Sequence, residues 1–156
     1  MDIQTVDPLR NSRATQATSR QPRPAAALRG NCREQSAFQY WQDETLAPCS
    51  DAVLDFSDLV SIPAGKRAVI ELVTGTIQVP AGQSAHLRMS TSLECAPSEL
   101  DLAVIPQHAL GCACVLMVSQ TMREYTDGEI AFQVTRERCE GAGYALICIS
   151  GHFVEA

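Results

Sequence analysis

Apolar and polar positions alternate with a period of two through most of the chain beyond residue 50. From Ala85 to Leu93, the side chains of Ala85, Leu87, Met89 and Leu93 share one face, and those of His86, Arg88, Ser90 and Ser92 share the other. That is the pattern of an antiparallel strand with one face buried and one wet. Ile130, Phe132 and Val134 alternate in the same way with Glu129, Ala131, Gln133 and Thr135, as do Leu100, Leu102 and Val104 with Glu99, Asp101 and Ala103. Residues 112–118 and 144–154 are apolar on both faces for much of their length, which predicts strands central to their sheets. Between residues 67 and 79 the parity changes: Ala68, Ile70 and Leu72 are even-numbered, Ile77 and Val79 odd-numbered. The facing must therefore invert, and a bulge at Thr74-Gly75 is the expected place, since glycine inside a strand often marks one.

Pro, Gly, Ser and Asp punctuate these short segments at intervals suited to a single antiparallel β-sandwich, jelly-roll or immunoglobulin-like. Thr126-Asp127-Gly128 reads as a hairpin signal, because Asp-Gly favours a type I′ turn. A strict two-residue loop there would aim Arg123 at the core, so a longer loop or bulge is expected, with Arg123 at the rim. Gly141-Ala142-Gly143 reads as a second hairpin turn, before Tyr144. Helix is confined to at most one short turn, near Cys32 to Tyr40 or Pro106 to Leu110.

Residues 1–50 read differently. No periodicity is sustained up to about Gly30, and Pro8, Pro22 and Pro24 remove backbone donors and disfavour helix at the residues before them. The expected division is an irregular polar arm over 1–50 and a β-sandwich domain over 51–156, with the cluster Phe38-Gln39-Tyr40-Trp41 as an aromatic anchor late in the arm.

Charge sharpens this division. Residues 1–33 hold Arg10, Arg13, Arg20, Arg23, Arg29 and Arg33 against Asp2 and Asp7, a net +4, which leaves −10 for the remainder of a chain whose total is −6. An acidic body disfavours non-specific nucleic-acid binding by the folded domain, and no specific nucleic acid is expected, whereas a basic arm suits a polyanion or the acidic body of a neighbouring copy. No run approaches the roughly 20 apolar residues of a membrane-spanning helix. The first residues lack the apolar centre of a signal peptide, so secretion is expected only if the N-terminus has been processed, and the cellular compartment is open.

Seven cysteines, Cys32, Cys49, Cys95, Cys112, Cys114, Cys139 and Cys148, leave at least one unpaired within a monomer. In an oxidising compartment Cys32 with Cys49 is a plausible loop-closing disulfide. Otherwise the cysteines are expected as small buried hydrophobes.

Three stretches resemble a loose family of small, uncharacterised bacterial β-sandwich proteins. They are Ile62-Pro63-Ala64-Gly65-Lys66-Arg67-Ala68-Val69-Ile70-Glu71, with its Pro-x-Gly-Lys-x opening of a strand, then Gln120-Thr121-Met122-Arg123-Glu124-Tyr125, and the closing Ile149-Ser150-Gly151-His152-Phe153-Val154. The resemblance covers about the C-terminal two-thirds. It implies the fold and an export signal in many members, and it transfers no catalytic residue.

Candidate chemistry is sparse. His108 with Cys112-x-Cys114 is the nearest approach to a metal site, but structural zinc knuckles use wider spacings, and two cysteines one residue apart on a strand point the same way. Neither a metal nor a cofactor is therefore expected. None of His86, His108 and His152 has the local arrangement of a base beside a nucleophile. The expected function is a non-enzymatic structural or interaction protein that self-associates or binds a protein partner through its arm, using Phe38, Tyr40, Trp41, Arg20, Arg23 and Arg29. The alternatives are a secreted carbohydrate-binding or surface module and an uncharacterised enzyme.

Overall fold

A computed structural model describes residues 36–156, with the side chains of residues 108–110 excepted. Nine strands follow in order: β1 (Ala37–Leu46), β2 (Ala52–Asp55), β3 (Lys66–Pro80), β4 (Ala85–Leu93), β5 (Ala96–Leu102), β6 (Ile105–Leu110), β7 (Ala113–Thr126), β8 (Ile130–Arg136) and β9 (Gly143–Glu155). They form a five-stranded sheet in the order β1-β9-β3-β7-β6 and a four-stranded sheet in the order β2-β8-β4-β5, every pairing antiparallel. The described residues contain no helix; of the two places where a helical turn is expected from sequence, Pro106 to Leu110 lies in strand β6, and the described end of the other, from Ala37 to Tyr40, lies in β1.

The pairings β1 with β9, β2 with β8, β3 with β7 and β4 with β5 show the chain folded back on itself and rolled across two sheets. This is the jelly-roll order, with β6 added by a hairpin at the edge of the large sheet. It decides against the immunoglobulin-like alternative. The aromatic stretch belongs to this sandwich: β1 pairs along its whole length with β9, from Ala37 opposite His152 to Leu46 opposite Gly143. The sandwich thus reaches N-terminal of residue 51.

The core lies between the sheets. Phe56 and Phe132 meet edge to face, with centroids 5.4 Å apart, and Leu54, Ile70, Ile77, Leu87, Met89, Ile130, Ile147 and Ile149 are fully buried around them. The expected alternation holds in β4, where Ala85, Leu87 and Met89 face inward, and in β8 through Ile130, Phe132 and Val134. It fails at Leu100, which is exposed on the edge strand β5. The middle of the large sheet is β3, with β7 and β9 on either side of it.

The facing of β3 does invert, but not at Gly75. The register slips between Ile70 and Leu72 on both of its ladders, so Glu71 is the bulge residue. Ala68 and Ile70 point inward before it, and Val73, Ile77 and Val79 after it, while Leu72 is half-buried on the outer face. Gly75 pairs regularly with Val118 and Ile147. A Cβ there would lie 2.4 Å from the carbonyl oxygen of Leu146, so the glycine serves close packing rather than a bend.

Both expected glycine hairpins turn out to be crossings between sheets. Thr126 ends β7 in the large sheet and Ile130 opens β8 in the small one. The buried Thr126 hydroxyl fixes this corner by donating to the Ser92 carbonyl (2.7 Å) and accepting from the Gly128 N–H (3.2 Å). Arg123 is exposed, stacked on Tyr125 at 5.6 Å, and so avoids burial as expected. Gly141, at φ 69°, lies on the second crossing, from β8 to β9. The true two-residue hairpins are Glu94-Cys95 and Gly111-Cys112. Glu94 and Cys95 both have positive φ, 52° and 65°, as a type I′ turn requires. Asp127 holds that turn by accepting the Glu94 N–H at 3.0 and 3.1 Å.

Candidate interaction face

The large sheet turns one set of alternating residues to the core and the other outward, and register assembles the outward set into rows across the strands. One row runs Trp41, Cys148, Thr74, Ser119 over β1, β9, β3 and β7. The next runs Asp43, Leu146, Thr76, Met117 and Ile105, and a third Thr45, Tyr144, Gln78 and Val115. Asp43 is the only formal charge in these three rows. Trp41 (62% exposed), Ile105 (54%), Met117 (39%) and Tyr144 (36%) stand out from the face as large apolar side chains in water. Scattered apolar residues on a surface are ordinary, whereas several large ones gathered on one sparsely charged sheet face make a candidate contact surface.

Polar atoms on this face are tied down locally. The Tyr144 hydroxyl donates to Asp43 Oδ2 at 3.0 Å. Loss of solvent around the phenol, and then the Asp43 carboxylate, raise the Tyr144 pKa. The Gln39 amide nitrogen lies 3.6 Å from Cys148 Sγ. Beyond the third row the surface deepens into a hollow of about 400 Å³ walled by Gln78, Pro80, Cys112, Ala142 and Tyr144.

The outer face of the small sheet has the opposite character. Its central row is Val53, Gln133, Arg88 and Asp101, followed by Asp55, Ala131, Ser90 and Glu99. Arg88 donates to Asp101 Oδ1 at 2.9 Å and to Glu99 Oε2 at 3.3 Å, and Gln133 donates to Asp51 at 2.9 Å. The hydrogen bond and charge of Asp101, then Glu99, raise the Arg88 pKa further.

The expected site residues divide. Arg20, Arg23, Arg29 and Cys32 lie outside the described residues. Phe38 is buried in the sandwich's own core, 5.1 Å from Phe153 between ring centroids, and Tyr40 packs beside it, half-buried. Of the three aromatics only Trp41 is exposed on the outer face. Met117, Ile105, Tyr144 and Leu146 join it through strand register, which no local motif reports.

The expected burial of the cysteines is overturned: Cys49, Cys95, Cys112 and Cys139 are exposed, and Cys114 and Cys148 half-buried. Most of them sit in turns, where a small residue is tolerated without entering the core. Cys112 lies in the β6–β7 turn while Cys114 packs against the core, so the pair do not present thiols together. Among the described residues no group of three or more His, Cys, Asp or Glu is arranged to hold a metal ion. His152 Nδ1 lies 3.2 Å from Glu71 Oε2, and neither is beside a Ser or Cys nucleophile in the hydrogen bonds of the site. No helix of the described residues is long and apolar enough to cross a membrane.

No protein-family model matches the chain, and no curated protein is recognisably similar to it. Among solved structures it is similar to the cyanophage Pam1 capsid asymmetric unit, at a TM-score of 0.39 and 13% identity, over 88% of this chain and 99% of that one. A likeness this distant says nothing about what either protein does.

Proposed function

We propose that this protein is a non-enzymatic structural or interaction protein whose sandwich associates with copies of itself through the outer face of the large sheet. The observation that carries the reading is the near absence of charge across three rows of that face, with Trp41, Met117, Ile105 and Tyr144 projecting from it. A second copy is the occupant favoured by charge and by chain length. The arm ends where β1 begins, on the edge strand bordering the face, and its six arginines against Asp2, Asp7 and Glu34 give it a net +3 against −9 on the rest of the chain. Some 35 residues at up to about 3.3 Å each reach well past a small domain. Each arm therefore has the length and the charge to lie on its neighbour's acidic body while the sparsely charged faces meet.

Size-exclusion chromatography with light scattering tests this on the full chain and on a version beginning at Ser36. The full chain is expected to be oligomeric, and the shortened one to dissociate at concentrations where the full chain does not. Two identical monomers at high micromolar concentration would overturn the proposal.

A further inference from the structure

Two connections meet at one end of the sandwich: residues 47–51, between β1 and β2, and residues 137–142, between β8 and β9. Arg136, the last residue of β8, fastens both, donating to the Ala47 carbonyl at 2.5 Å and to the Gly141 carbonyl at 2.9 Å. Gln83 adds a bond to the Glu140 carbonyl at 2.9 Å, and the Ser84 hydroxyl donates to Glu137 at 2.8 Å. Within this clamp Cys49 and Cys139 line one hollow of about 190 Å³ with Ser50, Asp51, Arg136 and Arg138. Cys49 Sγ lies 4.0 Å from the Cys139 carbonyl oxygen, and both side chains are exposed. Hydrogen bonding to the Cys139 side chain, then burial, raise the Cys49 pKa, and Arg136 opposes this.

We propose that Cys49 and Cys139 form a reversible disulfide that locks the β1–β2 and β8–β9 connections together. The pairing differs from Cys32 with Cys49, the bridge suggested by sequence spacing. Cys49 makes only one bond, so the two are exclusive. The reaction partner is a low-molecular-weight disulfide. One protein thiolate attacks it, forming a mixed disulfide and expelling one small thiolate; the second protein thiolate then attacks the protein sulfur and expels the other. Two protein thiols have lost two protons and two electrons, and the small disulfide has become two thiols. Arg136 and Arg138 line the hollow with the two cysteines, and the Arg136 charge offsets part of the rise in the Cys49 pKa. The bond spans a separation of 90 residues and encloses β2 to β8, so it removes much of the unfolded chain's freedom.

The test uses the full chain, treated with hydroxyethyl disulfide at low protein concentration and digested without reduction. The expected result is two hydrogens lost within a single chain at Cys49 and Cys139, a Cys49–Cys139 cross-linked peptide, and a Tm raised by roughly 5–15 °C. Dithiothreitol should reverse all three. C139S and C49S should each lose the Tm rise, and C32S should keep it. A Cys32–Cys49 peptide, a cross-link between chains, or a Cys49 that stays reduced while the protein is folded would overturn the proposal.

Discussion

The two outer faces of the sandwich are built from strands of the same alternating pattern, yet they have been given opposite surfaces. On the small sheet Arg88 is held between Asp101 and Glu99, and Gln133 is tied to Asp51. Such a face keeps its water, because covering it would strip solvent from charges already paired in an exposed network. On the large sheet, Trp41, Leu146, Thr76, Met117 and Val115 leave little to desolvate. Burying that face gains apolar contact at small polar cost. The contrast in desolvation cost is what favours the large sheet's face for the proposed association.

The comparison extends to the backbones. The small sheet's strands contain no glycine, whereas Gly75, Gly143 and Gly151 all sit in the large sheet. A Cβ at Gly151 would lie 1.9 Å from the Val69 carbonyl oxygen and 2.9 Å from Phe38 Cζ. The largest effect is therefore expected from Gly151→Ala, a loss of roughly 2–4 kcal/mol as backbone and Phe38 are forced apart. Ser90→Ala on the small sheet should stay within about 0.5 kcal/mol. Urea unfolding checks both, and a loss under 1 kcal/mol for Gly151→Ala would mean that the close approach is dispensable.

Next in size is the response of self-association to charge. Thr76 lies in the middle row of the large sheet, between Leu146 and Met117. Thr76→Glu should weaken association at least tenfold by sedimentation velocity, and Trp41→Ala roughly tenfold, as for an exposed aromatic anchor. Ser90→Glu, the equivalent change on the other face, should alter it less than about twofold. Equal effects from Thr76→Glu and Ser90→Glu would erase the distinction between the faces.

What was legible in the sequence follows from what alternation encodes. A period of two reports which side of a strand is buried, so β4 and β8 could be drawn from residues alone. Both-sided apolarity over 112–118 and 144–154 did mark strands of the face that now carries the proposal. β1 was hidden because its inward positions between Tyr40 and Leu46 are Gln42 and Glu44, which read as polar arm. The inversion in β3 falls at Glu71 rather than Gly75 because Leu72, which reads as core in the sequence, is half-buried on the outer side. Turn residues report that the backbone bends, not which sheet receives the next strand. Asp127-Gly128 and Gly141-Ala142-Gly143 therefore looked like hairpins, and the real type I′ turn at Glu94-Cys95 had no glycine to announce it. The interaction face itself is assembled by register from residues far apart in the chain.

A smaller effect separates the faces by salt. Arg88→Ala should lower Tm by no more than about 3 °C, because exposed ion pairs contribute little, and the loss should shrink further at 1 M salt. Self-association through the sparsely charged face should persist or strengthen under the same conditions, apart from the part that the basic arm contributes. A Tm loss that is large and unaffected by salt would show that Arg88 packs the fold rather than decorating its surface.

The smallest expected effects lie at the two ends of the pH scale, one for each sheet. On β2 of the small sheet, hydrogen bonds from the Ser57 hydroxyl, then its N–H (2.9 Å), hold Asp55 below the usual carboxylate range. A depressed folded pKa contributes stability above the unfolded value, near 4, that is lost as pH falls through the folded one. Tyr144 on the large sheet is raised, so its contribution is complete below about pH 10 and is lost as pH climbs through the folded value. Thermal unfolding from pH 2 to 11 should therefore show Asp55→Asn flattening the acid limb alone and Tyr144→Phe the alkaline limb alone. If Tyr144→Phe left the alkaline limb unchanged, the phenol's bond to Asp43 would have no weight in the fold. Tyr144 would then stand on the face only as apolar area, available to a neighbouring copy.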